Sequence, residues 1–126
     1  MEIGPLVSAE LVTVGPDHSL AETARRMIER GVGSAVVVTE DGRPGIITER
    51  DLLRSLAAGN DPESTRVERY MTENAITASP SWDVTEAASR MVDGGFRHLL
   101  VLNDNGSISG VLSIRDLVAS LLGSRP

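Results

Sequence analysis

Two stretches decide the fold: GIITERDLL at 45–53 and GVLSIRDLV at 110–118. Each runs glycine, two aliphatic residues, a hydroxyl residue, two variable positions, aspartate, leucine. The apolar part predicts a β-strand. The hydroxyl predicts the start of a helix, because a Ser or Thr oxygen takes up a free N–H of the first turn and an acid three residues on answers it. Thr48 with Asp51 and Ser113 with Asp116 are therefore one device written twice.

The copy extends outward from these stretches, and a long internal repeat outranks any single motif in reading a fold. With Pro16 placed over Pro80, an offset of 64 carries Leu20 onto Val84, Glu22 onto Glu86, Ala24 onto Ala88, Met27 onto Met91, Gly31 onto Gly95 and Gly42 onto Gly106. One extra residue then enters the second copy, and Gly45, Thr48 and Asp51 fall on Gly110, Ser113 and Asp116.

Each copy has the same coarse plan. A short apolar stretch (LVTV at 11–14, AITA at 75–78) precedes a helix, with Ser19–Glu22 and Asp83–Glu86 read as capping boxes. Leu20, Ala24, Met27 and Ile28 are expected on one helical face, and Val84, Ala88, Met91 and Val92 on its counterpart. The glycines at 31, 94 and 95 supply the stop. SAVVV at 34–38 and HLLVL at 98–102 do not alternate, so they predict strands buried on both faces. Asp41-Gly42 and Asn105-Gly106 predict tight turns into antiparallel return strands. The fold class is α/β of the α+β kind: tandem β-α-β-β-α repeats packed with pseudo-two-fold symmetry. Residues 8–59 form repeat 1, 60–70 a polar linker with VERYM at 67–71 as a short helical lead-in, and 71–122 repeat 2.

Composition narrows the function. Eighteen acidic residues against twelve basic give a formal charge of −6, which disfavours a nucleic-acid polymer or an anionic membrane as partner, since both need a positive field. Hydrophobic residues at 40% suffice for a core, but Tyr70, Trp82 and Phe96 are the only aromatic residues, so the core is aliphatic. Without cysteine there are no disulfides or thiolate metal sites, which fits a cytoplasmic protein. The N-terminus shows no basic leader followed by an apolar stretch, and no run is long enough to span a bilayer.

Catalytic signatures are missing. His18 and His98 lie in different halves without metal-ligand spacing. The serines lack a G-x-S-x-G setting, there is no phosphate loop, and every basic side chain is arginine. Neither a catalytic nor a metal site is expected. What remains is the repeated hydroxyl-x-x-Asp. On one reading it is a helix cap and nothing more. On the other, the carboxylate also accepts hydrogen bonds from sugar hydroxyls while the helix N–H groups and the hydroxyl face a phosphate, with Gly45 and Gly110 leaving room beside the backbone.

The half-repeat plan, GPDHSLAE (weaker in SPSWDVTE), the ending D-G…G-I-I-T-x-R-D-L and its duplication together resemble a pair of CBS domains, the Bateman module, over roughly residues 8 to 122. The resemblance implies a stand-alone, disc-like homodimer that binds adenine nucleotides (AMP, ADP or ATP) or adenosyl compounds in two clefts between the repeats. No cofactor is required, and an effector protein is a further possible partner. It implies ribose and phosphate contacts from Thr48 and Asp51 in one cleft and from Ser113 and Asp116 in the other. Strand-start residues line the clefts: Gly33, Ser34 and Ala35 in the first copy, Arg97, His98 and Leu99 in the second. Thr13 and His18, and Thr77 and Trp82, help hold the base.

Arg97 and His98 make the Asp116 cleft the better phosphate site, because the arginine fork suits an anion. Arg50 and Arg115 add positive potential, or are solvated helix residues. Trp82 is more simply a packing residue than an adenine platform. Two features depart from the family pattern: the middle strands lack the usual proline, and the first copy lacks a basic residue at its strand start. The alternative is a ligand-free dimerisation or protein-interaction scaffold; an enzyme is a distant third.

Overall fold

The computed structural model describes residues 1–8 and 10–123. The order among them is β1 (Thr13–Val14), α1 (Leu20–Arg30), β2 (Ser34–Val38), β3 (Pro44–Thr48), α2 (Glu49–Ala57), β4 (Thr77–Ala78), α3 (Val84–Gly94), β5 (His98–Leu102), β6 (Ile108–Ser113) and α4 (Ile114–Leu121). The plan β-α-β-β-α thus occurs twice. Each repeat builds a three-stranded sheet, β1-β2-β3 or β4-β5-β6, with its first pair parallel and its second antiparallel. The chain forms two compact units, one of Leu11–Ala75 and one of Met1–Glu10 together with the chain from Ile76 onward.

In the Leu11–Ala75 unit the core is Val12, Val14, Leu20, Met27, Ala35, Val37, Ile47 and Val67. Ala35, Val36 and Val37 are all buried, so the non-alternating run SAVVV is covered on both faces. The helix α1 starts at Ser19, whose Oγ accepts from the Glu22 N–H at 3.0 Å, and ends at Gly31 in the left-handed region (φ 67°). The expected reciprocal bond from Glu22 is not made: its carboxylate reaches Arg26 Nε at 3.0 Å instead. The buried face also differs from expectation. It runs Leu20, Thr23, Met27, whereas Ile28 is 82% exposed. The row that meets the sheet is spaced i, i+3, i+7; the apolar row one residue on faces outward.

The other unit repeats this with Ile3, Ala78, Val84, Ala87, Met91, Leu99, Val101, Leu112 and Leu117. Val84, Ala87 and Met91 form the buried row of α3, and Val92 is 73% exposed, the same departure as at Ile28. Asp83 caps α3 by accepting from the Thr85 N–H at 3.0 Å, not through a box with Glu86. The extra residue of the second copy is absorbed as a bulge: Leu102 pairs with Ile108 but Val101 with Gly110, leaving Ser109 unmatched.

Segments preceding each repeat complete the sheets. Thr72 and Ile46 exchange backbone hydrogen bonds at 2.8 and 3.0 Å along β3, and Ser8 and Val111 do so at 3.0 and 3.2 Å along β6. Ser8 and Thr72 are 64 residues apart, as are Ile3 and Val67, both fully buried. The repeat therefore begins at about residue 3 and again at 67, and each lead-in joins the sheet of the other copy. This corrects the expectation for Gly45 and Gly110. The space beside them is taken by the lead-ins: a β-carbon on Gly45 would stand 2.9 Å from Thr72 O, and one on Gly110 would collide with Ser8 O and Val7.

Candidate functional site

At one end of each sheet the middle strand begins, the return strand ends and a helix starts. In the first unit Ser34 pairs with Thr48, and the Glu49 N–H donates to Gly33 O at 3.0 Å. In the second, His98 pairs with Ser113, and the Ile114 N–H donates to Arg97 O at 2.8 Å. The two junctions are built alike because the sequence supplies the same strand–cap–helix grammar at both.

Thr48 and Ser113 are N-caps with extended backbone, and both capping boxes are complete. Asp51 Oδ2 accepts from Thr48 N–H (2.9 Å) and Thr48 Oγ1 (3.1 Å), while the Asp51 N–H donates to that hydroxyl (3.4 Å). Asp116 Oδ2 likewise accepts from Ser113 N–H (3.0 Å) and Oγ (2.9 Å), and its own N–H donates back at 3.2 Å. Each carboxylate thus has one oxygen locked onto its own cap.

The second oxygen distinguishes the junctions. Asp51 is 7% exposed, and its Oδ1 faces Arg54 Nη1 at 3.4 Å. Asp116 is half-buried, and its Oδ1 has no hydrogen-bond partner among the described residues. Gly33 in the first junction lies against a carboxylate: a β-carbon there would start 3.0 Å from Glu49 Oε1. The second junction has Arg97 and Ile114 at those two places. Arg97, Arg50 and Arg115 are exposed, and His98 is half-buried. Glu49 and Arg54 stand in the quoted stretch and its continuation, but no repeat partner shares their charge, so alignment of the copies did not single them out.

The remaining candidates lie further along the sheets. Thr13 pairs with Val36, two residues along β2 from Ser34, and Thr77 pairs with Leu100, two along β5 from His98. His18 and Trp82 follow β1 and β4 at the opposite ends of their sheets, so neither unit alone brings them to its own junction. His18 Nδ1 accepts from the Gly15 N–H at 2.7 Å. Trp82 packs on the Ile3 core, its carbonyl accepts from the Ile3 N–H at 2.9 Å, and Arg90 sits 5.0 Å over its ring. Those far ends also carry hollows, one of about 740 Å³ beside Asp17, Val38, Arg43 and Met71 and one of about 250 Å³ beside Thr77, Trp82 and Asn103; neither reaches the capped aspartates. Among the described residues no group of three or more His, Asp or Glu could hold a metal ion, and no helix is long and apolar enough to cross a membrane.

The family model for the CBS domain matches residues 3–58 and again 67–123, the same 64-residue step seen between the two lead-ins. An uncharacterized 17.7 kDa protein of Acidianus ambivalens is 38% identical over 122 residues, spanning 96% of this chain and 73% of that protein. An uncharacterized protein of Methanopyrus kandleri is 34% identical over 120 residues; the match spans 94% of this chain and only 61% of the relative. Among solved structures, a CBS domain protein from Pyrobaculum aerophilum complexed with AMP superposes with a TM-score of 0.83 at 28% identity, covering 98% of this chain and all of that one. None of these names states an enzymatic activity. With both copies matched from lead-in to last helix, this chain belongs to the CBS-domain family and carries two CBS domains in tandem.

Proposed function

We propose that the chain is a non-enzymatic regulatory module that binds an adenine nucleotide, with the Ser113–Asp116 junction as its principal site. One observation carries this reading: Asp116 caps its helix with Oδ2 and leaves Oδ1 without a hydrogen-bond partner among the described residues, at a junction where the Arg97 carbonyl accepts from the first N–H of that helix. A ribose hydroxyl donates to Oδ1, and the Arg97 fork, with His98 and Arg115 nearby, meets the phosphate. Hydrogen bonds to a charged partner are the strong ones, worth about 1.5–3 kcal/mol each. The AMP bound by the Pyrobaculum relative supports the choice of ligand. Thr77 extends the contact set within the sheet of Ser113, and Thr48, Asp51, Ser34 and Thr13 are the equivalent contacts at the first junction. Binding shifts populations of the module through differential affinity and is read by an effector protein or a second copy.

Calorimetric titration against AMP, ADP, ATP, NAD and S-adenosylmethionine tests this. Binding tighter than millimolar is expected for at least one adenine nucleotide and is lost when Asp51→Ala and Asp116→Ala are combined. The absence of any such binding contradicts the reading.

A scaffold without ligand is the second reading. The completeness of both capping boxes favours it, as do the equivalent exposed apolar residues Ile28 and Val92. Under it, added nucleotide leaves the melting temperature unchanged, because mass action stabilises only a fold that binds.

A further inference from the structure

We infer that Glu49 is a charge selector that closes the first junction to phosphate-bearing ligands, so that the module holds one nucleotide per chain, at the second junction. The inference rests on the nucleotide reading and assigns the two junctions different ligand classes. Glu49 is the first residue of α2, its N–H donates to Gly33 O at 3.0 Å, and its Oε1 lies over the Gly33 backbone. A carboxylate therefore stands where the second junction has the Ile114 side chain, and an α-hydrogen stands where it has the Arg97 side chain. Asp51 lies two residues on, and its second oxygen accepts from Arg54 at 3.4 Å.

The Glu49 carboxylate opposes an incoming phosphate, whereas Arg97 attracts it; one like-charge pair at a protein surface changes affinity by about tenfold or more. The Asp51–Arg54 contact also engages the acceptor that a sugar hydroxyl needs. Among the described residues nothing equivalent engages Asp116 Oδ1: the position matching Arg54 is Ala119. The first junction thus suits an uncharged or cationic group.

Equilibrium dialysis with radiolabelled AMP counts the sites. The native chain is expected to bind one AMP, lost in Asp116→Asn. Glu49→Gln, which removes charge and keeps bulk, is expected to add a second AMP per chain, as is Glu49→Ala. Two equal sites in the native chain, or one site in a folded Glu49→Gln protein, overturn the inference. A second site appearing in Glu49→Ala alone also overturns it, since bulk and not charge would then be the barrier. No AMP bound by the native chain defeats the nucleotide reading itself, a result distinct from all of these.

Discussion

In the proposed site the two oxygens of Asp116 have separate tasks, which mutation can tell apart. Asp116→Ala removes the capping box and is expected to cost about 1 kcal/mol in chemical denaturation. Asp116→Asn keeps an oxygen for the cap, so unfolding should stay close to native while the second oxygen is lost as an acceptor. Gly110 is equally exacting for a different reason: its missing side chain admits Ser8 and Val7 against β6. Gly110→Ala is expected to destabilise by about 1–3 kcal/mol, the usual range for overpacking, measured by urea unfolding. The sequence named both residues, because each stands at a fixed place in a repeated string. It misassigned the reason for the glycine, since a pattern shows that a side chain is unwelcome without showing what occupies the space. Glu49 escaped notice for the converse reason: its effect comes from facing Gly33, a relation set by the return of β3 beside β2, while Arg54 stands one i,i+3 step from Asp51 on α2 in a pairing the second copy does not repeat.

At the scale of single elements, α3 is held by an exposed cap whose chemistry is measurable. The Thr85 hydroxyl beside Asp83, with the Met1 amino group next in effect, lowers that carboxyl to about 2. A lowered folded-state value means the cap's contribution is full above the ordinary carboxylate range near 3.8 and fades as pH falls toward about 2. An NMR titration should find Asp83 ionising well below the ordinary value of 3.8, and Thr85→Val should move it back toward that value. Helix starts, glycine stops, hairpin turns and doubly buried strands were legible because each depends on local chemistry. The outward row of α1 and α3 was not. Ile28 and Val92 satisfy the helical period as well as Thr23 and Ala87 do, and only the sheet decides which row is covered.

Across the whole chain, the lead-ins matter most. Residues 3–8 and 67–72 are copies of one another, and each completes the sheet of the opposite repeat, with Ile3 or Val67 in its core. Ile3→Ala is expected to cost about 2–5 kcal/mol, the range for truncating a buried aliphatic side chain. Hydrogen exchange should report the loss in β4–β6 and α3, not in β1–β3. A fragment ending at residue 58 lacks Val67, Tyr70 and Met71 and should show less helical circular dichroism than one spanning 11–75. This exchange was hard to see in sequence: MEIGPLVS and TRVERYMT share no identities, and burial of Ile3 and Val67 depends on partners far along the chain.

The most direct measurement is thermal unfolding of the native chain and of Asp116→Asn, each with and without AMP. The account predicts nearly equal melting temperatures without ligand, a rise with AMP for the native chain, and no rise for Asp116→Asn. An equal rise in both proteins would contradict it, because the open oxygen of Asp116 would then have no part in holding the nucleotide.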